Sequence, residues 1–274
     1  MKRAFLILCA IITLVSCSTI KEDRSECPSY LTFDVDAFIA AGFRTAVVSY
    51  QAENGDVFQD EITLEQYRGV GYEVPIERGH RSQVSVVAGL ERSTISETSV
   101  RALNNSPFDR IWAYASDIEP AGDLEVIRTA PHKQFCDVTF TFPEGTPEDV
   151  DFPYVLRVRT TFNGFGLYSL SPLPILSGYE TCSYPDGDNG YSVVLPRQGD
   201  YDIWLDIILP GDESQAPGQV LYVIDLGKRF IDAGYDWTKQ DLDNISVLVD
   251  FSAGDPEIIV NPWTDDDTYS EFQV

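Results

Sequence analysis

Five thiols, two imidazoles and forty-four carboxylates are the groups of this 274-residue chain that could do chemistry, and spacing decides which of them do. His80 and His132 stand far apart, each beside a basic residue, which rules out a histidine-rich metal centre. There is no Cys-x-x-Cys pair, no Gly-x-Ser-x-Gly nucleophile elbow and no phosphate-cradling glycine loop ahead of a helix. Asp186-Gly187-Asp188-Asn189 opens like a calcium loop. Gly190 and Tyr191 then take the fifth and sixth positions, and Arg197 stands where the bidentate glutamate belongs, so the segment reads as a surface turn. Asp202 and Asp206 would lie on one side of a strand, as an acid and base pair does, but in so acidic a chain such pairs arise by chance. The expectation is a protein that is not an enzyme, with no catalytic residue, no cofactor and no metal.

The thiol with the most specific setting is Cys17. Lys2 and Arg3 precede an apolar run, Phe5 to Val15, that is too short to span a bilayer as a stable helix and reads as a signal peptide. It ends Leu14-Val15-Ser16-Cys17, which resembles a bacterial lipobox: small Ser16 suits the signal peptidase, cleavage falls between Ser16 and Cys17, and the Cys17 thiol carries lipid. Each buried methylene adds about 0.8 kcal/mol, so several acyl chains (palmitate among the candidates) anchor a protein far better than one. Ser18 follows where an aspartate would retain a lipoprotein at the inner membrane. Lys21-Glu22-Asp23 resembles the charged export tag of surface lipoproteins. Residues 1–16 are therefore assigned to the signal peptide and 17–27 to a lipidated tether, with the mature chain an outer-membrane lipoprotein at the cell surface.

Without residues 1–16 the chain keeps 258 residues and loses Lys2 and Arg3, so its formal charge moves from −25 to −27. Such a charge repels nucleic-acid phosphates and anionic lipid, which excludes nucleic acid as a partner and leaves membrane attachment to the acyl groups. At 43% hydrophobic and 12% aromatic residues the chain can build sizeable cores. Cys9 leaves with the leader. Cys27, Cys136 and Cys182 remain in an oxidising compartment, either as one disulfide plus a thiol or as three buried thiols.

The elements that hold these residues alternate with period two. Leu31 to Asp36, Asp137 to Phe142, Tyr201 to Asp206 and Ile245 to Asp250 place apolar and polar side chains on opposite faces, as half-buried strands require. Asn54-Gly55 is expected to supply the positive φ angles of a hairpin between Ala46–Tyr50 and Val57–Phe58. Helical signal is sparse: one turn at Leu64 to Arg68, and a short amphipathic face of Leu226, Phe230 and Ile231 that Gly234 ends. Closely spaced strands with Gly and Pro turns argue for an all-β chain of antiparallel β-sandwiches. Turn residues between Pro120 and Pro131 divide it into an N-terminal sandwich, 28–128, and a C-terminal one, 129–263, followed by an acidic tail, 264–274.

Four tryptophans, Trp112, Trp204, Trp237 and Trp263, could make a sugar-stacking platform. Trp204 lies opposite Ile203 and Leu205 and is the expected exposed aromatic, whereas Ile111-Trp112-Ala113-Tyr114 fits a packed strand.

The segment Asp225 to Trp237, the strand Ile245 to Phe251 and the stretch Glu257 to Trp263 together resemble the closing segment of fimbrillin-like proteins. The start is similar to the FimB-like minor subunits of type V fimbriae: a lipobox, about ten polar residues, then Glu26-Cys27-Pro28 leading into a first strand. This resemblance implies two tandem transthyretin-like sandwiches and assembly by strand complementation, in which an extended segment of one subunit pairs with an unfilled edge of the next. It also implies a lipid-anchored subunit that ties the filament base to the outer membrane, with other fimbrial subunits as partners. A shaft or tip adhesin is the near alternative, and a surface lipoprotein with a host or glycan ligand the other. The tether has no unambiguous protease-processing site: Arg24 is its sole arginine, and cleavage there would cut the fold away from its lipid, so an uncut tether suits an anchor better than a stalk subunit. The acidic tail from Thr264 is poor material for an apolar groove, so a donor strand, if the chain has one, is Glu257 to Trp263.

Overall fold

The computed structural model describes residues 27, 29–103, 105–142, 154–184, 191–211, 218–251 and 255–261. Ser16, Cys17, the 186–190 loop, Trp263 and the tail lie outside the described residues. Among the described residues, no helix is long and apolar enough to cross a membrane.

Strands dominate. In the first half they are β1 (Ser29–Asp34), β2 (Thr45–Ala52), β3 (Val57–Thr63), β4 (Tyr72–Ile76), β5 (Ser82–Ala88), β6 (Thr94–Ile95), β7 (Ser99–Arg101), β8 (Trp112–Ile118) and β9 (Leu124–Arg128). In the second they are β10 (His132–Lys133), β11 (Phe135–Thr141), β12 (Val155–Gly166), β13 (Pro172–Ser183), β14 (Tyr191–Pro196), β15 (Trp204–Leu209), β16 (Gln219–Asp225), β17 (Ile245–Asp250) and β18 (Glu257–Asn261). Two short helices, α1 (Asp36–Ala40) and α2 (Leu226–Asp232), and a 3-10 turn at Leu64–Tyr67 complete the described elements.

Two sheets, β4-β1-β9 and β10-β8-β5-β2-β3, enclose one core, in which Leu31, Phe33, Val48, Val84, Val86 and Ile111 are fully buried. Two others, β14-β11-β17-β18 and β16-β15-β12-β7-β6, enclose a second core that includes Val138, Phe140, Val158, Leu205, Phe230 and Val247. Alternation accounts for both cores, because every second side chain of a strand meets the facing sheet. Long β12 serves the two at once. Its first half pairs with β15 and buries Leu156 and Val158 in the second core, and its far end pairs with β7 and buries Phe165 in the first.

Pairing is mostly antiparallel, with one parallel pair in each sandwich: β1 beside β9, and β11 beside β17. Each partner lies far along the chain, and the intervening strands supply the crossover that parallel pairing needs. The β2–β3 hairpin differs from the expected turn: Gly55 has φ +91, but Asn54 keeps a negative φ and instead accepts the Asp56 N–H on Oδ1 at 2.9 Å. The α2 helix follows its expected pattern at Leu226 and Phe230, which are buried, but Ile231 is 55% exposed. Asp36 does not extend the first strand; it opens α1, whose Phe38 and Ile39 fill the first core.

Candidate functional site

An unpaired strand edge presents a row of backbone donors and acceptors to a neighbour. On sheet β4-β1-β9 the edge strand β9 carries Leu124 and Val126, each 54% exposed, with Tyr30 of β1 opposite Leu124. On the largest sheet the edge strand is β16, where Val223 is exposed and Val220 partly so. A register shift between Ile207 and Ile208 bends this edge. The expected donor segment is placed differently: β18 pairs with β17 from Ser246↔Asn261 to Asp250↔Glu257, and Ile258 is buried in the chain's own second core.

Gly227 explains how α2 reaches its place in the segment that resembles fimbrillin-like proteins. Its N–H donates to Ile203 O at 2.9 Å, and a Cβ there would stand 1.7 Å from Tyr201 O. Asp225 caps the helix by accepting the Lys228 N–H at 2.8 Å. The helix then delivers Phe230, Tyr235 and Trp237 into one aromatic group, with Tyr235 and Trp237 ring centroids 4.7 Å apart.

Trp204 is half-buried, not a free platform. Its indole N–H donates to Asp202 Oδ1 at 2.6 Å. Trp112 packs edge-on against Phe135 with centroids 6.1 Å apart, as its strand context leads one to expect. Asp202 and Asp206 do not form an acid and base pair. Asp206 shares a face with Trp204 but is only 1% exposed, because Arg157 and Arg159, its neighbours on β12, cover it with four contacts of 2.6 to 2.9 Å. Burial alone would raise this carboxyl; the hydrogen bonds from Arg159 and Arg157 outweigh it and hold the group below the usual carboxylate range. Asp109 shows the same balance: burial is opposed by the backbone N–H groups of Ser93, Glu91 and Arg92, and the carboxyl is held low.

The three remaining cysteines are thiols at separate places: Cys27 exposed, Cys182 half-buried on β13, and Cys136 fully buried on β11. Burial pushes the Cys136 thiol up to about 12, which makes it inert. Among the described residues, no group of three His, Cys, Asp or Glu side chains could hold a metal ion. His132 instead meets Asp241 at 3.3 Å, and exposed His80 meets Glu53 at 3.7 Å.

A cleft of about 540 Å³ opens between the two sandwiches, walled by Tyr114 and His132 on one side and Tyr201, Gln198 and Trp237 on the other. Arg197 builds its floor. Arg197 is 8% exposed, and its guanidinium donates to the carbonyls of Trp237, Lys239 and Gln240 at 2.7, 2.6 and 2.9 Å and to Gln134 Oε1 at 3.1 Å. Sequence reasoning missed this cleft, whose walls come from segments far apart in the chain.

No protein-family model matches the chain, and no curated protein is similar to it in sequence. Solved structures are similar in fold. A candidate polysaccharide-binding protein of Bacteroides thetaiotaomicron superposes with a TM-score of 0.58 at 13% identity, over 86% of this chain and 96% of that one. A candidate adhesin of Bacteroides ovatus gives 0.58 at 10% identity, over 88% and 97%. The fimbrial anchor protein Mfa2 of Porphyromonas gingivalis gives 0.52 at 13% identity, over 87% and 97%. The chain thus has, across nearly the whole length of each, the all-β two-sandwich fold of these fimbrial and adhesin proteins.

Proposed function

We propose that this protein is a non-catalytic, lipid-anchored cell-surface subunit of a fimbrium, and that it is the base anchor attaching the filament to the outer membrane. The observation that carries the reading is the shared fold, which runs through both sandwiches of a fimbrial anchor protein and not through a single module. Supporting it, the lipobox ending at Cys17 supplies a membrane attachment, and β18 is spent within its own sandwich instead of being held out for a neighbour. A subunit that keeps β18 in its own sandwich does not offer that strand to a neighbour, which suits the end of a filament. The receiving edge is β16, seven residues long with apolar side chains outward. Immunogold labelling of filaments still attached to cells tests this: label at the membrane-proximal end is expected, and label along the shaft or at the distal tip would overturn the anchor role.

A second reading, glycan binding, rests on the cleft and not on Trp204. Tyr114 and Tyr201 line it, and Gln198 Oε1 and Trp237 Nε1 are buried polar atoms without a hydrogen-bond partner among the described residues. Titration with oligosaccharides should then perturb tryptophan emission through Trp237, and an unchanged spectrum would remove the reading.

A further inference from the structure

Lys133 is a lysine out of water. It is 3% exposed, and its Nζ sits 4.7 Å from the centroid of the Phe135 ring and donates to Asn244 Oδ1. The two carboxylates whose charge reaches it are engaged with other cations: Asp137 with Arg110 at 2.9 Å, and Asp243 with Lys239 at 2.6 Å. Burial lowers the Lys133 pKa, which favours the free amine with its lone pair available. The Asn244 carboxamide is equally set up. Its Oδ1 also accepts the backbone N–H of Asp137 at 3.1 Å, so two donors polarise one carbonyl. A fixed N–H is the kind of group that stabilises an oxyanion forming on that oxygen. With Nζ in contact with Oδ1, the electrophilic Cγ is one bond away.

We propose that Lys133 and Asn244 condense into an intramolecular amide. The Nζ lone pair attacks Asn244 Cγ, forming the Nζ–Cγ bond and a tetrahedral oxyanion held by the Asp137 N–H. A proton passes from Nζ to Nδ2, the carbonyl re-forms, and the Cγ–Nδ2 bond breaks with its electron pair leaving on ammonia. The balance is the loss of one ammonia, with nothing oxidised or reduced. The Asp137 backbone N–H already meets Asn244 Oδ1 and the charge of its carboxylate reaches Lys133, so that carboxylate is taken as the relay for the proton. Cys136 and Val138, of opposite parity, point into the second core.

The link joins residues 111 apart and lies just before the point where parallel β11 and β17 begin to pair, at Val138↔Ile245. It would tie β10, at the edge of the first sandwich's sheet, to the residue that enters β17 of the second, so that a pull between them is carried by a covalent bond and not by a ladder of hydrogen bonds.

Peptide mapping of the full protein purified from its native membrane tests this. The expected result is one linked peptide containing Lys133 and Asn244, lighter than its two parts by the mass of ammonia and resistant to trypsin at Lys133. Deamidation of Asn244 also releases ammonia, but it joins no peptides. Two separate peptides of full mass in the folded wild-type protein would overturn the proposal. Lys133→Arg should abolish the linked peptide, and its persistence would contradict the assignment. Asp137→Asn should slow its appearance in freshly synthesised chain, and an unchanged rate would remove Asp137 as the relay.

Discussion

Arg197 Nη1 lies 2.7 Å from the main-chain carbonyl of Trp237, and every other acceptor of this guanidinium is also neutral. A buried cation is here held by oriented carbonyl dipoles and not by a carboxylate. The geometry fastens the 237–240 segment, which begins at Trp237 of the α2 aromatic group, to the ends of β14 and β10, and so to the seam between the sandwiches.

Arg197→Met keeps the volume and strands these carbonyls without donors. Each buried group left unpaired costs about 1–3 kcal/mol, so a loss of about 3–5 kcal/mol is expected, read as a lower midpoint in urea unfolding. Arg197→Lys should rescue little, since one ammonium cannot span the same fork of acceptors.

Asp206→Asn leaves Arg157 and Arg159 without their shared partner. Because both arginines reach solvent, with side chains 28% and 40% exposed, the cost should fall below that of a fully buried pair, at about 2–3 kcal/mol near neutral pH. The sign with pH follows from the depressed carboxyl. Its folded value lies below its unfolded value, near about 4. The wild type therefore holds this stability above the unfolded value and loses it as pH falls through the folded one. Thermal unfolding should show the two proteins converging in acid.

Gly227→Ala places a methyl group against Tyr201 O, where a Cβ has only 1.7 Å. Helix α2 must lift away from the Tyr201 to Ile203 backbone, and a loss of about 1–3 kcal/mol is expected by chemical unfolding. Helix propensity alone predicts the opposite sign, a gain of up to about 1 kcal/mol, so the direction separates the two effects.

Much of this was legible in the residues. Period-two alternation placed Leu31 and Phe33, Val138 and Phe140, and Ile245 and Val247 inside, and it put Trp204 and Asp206 on one face. What it could not supply is what covers that face. Asp206 is buried by arginines 47 and 49 residues away on β12, a matter of register between distant strands. The parallel pairs β1 with β9 and β11 with β17 were hidden for the same reason, since a strand's own pattern does not name its neighbour. In the sequence Lys133 is only the basic residue beside His132; its closeness to Asn244 is what gives it a chemical role. The cleft likewise exists only once Tyr114, Arg197 and Trp237 are brought together.

Val223→Lys puts a charge on the exposed face of the β16 edge without touching either core. Edge lysines oppose strand addition. The variant should fold with unchanged unfolding midpoint yet bind its neighbouring fimbrial subunit at least about tenfold more weakly, equivalent to about 1.4 kcal/mol, in a co-purification or surface-binding assay.

The most direct test of the anchor account is to delete the protein in its native bacterium and compare filament material on cells with that shed into the medium. Filaments accumulating in the medium, with the same shedding in a Cys17→Ala strain, are predicted. Filaments that remain attached and unchanged in the deletion strain would contradict the account.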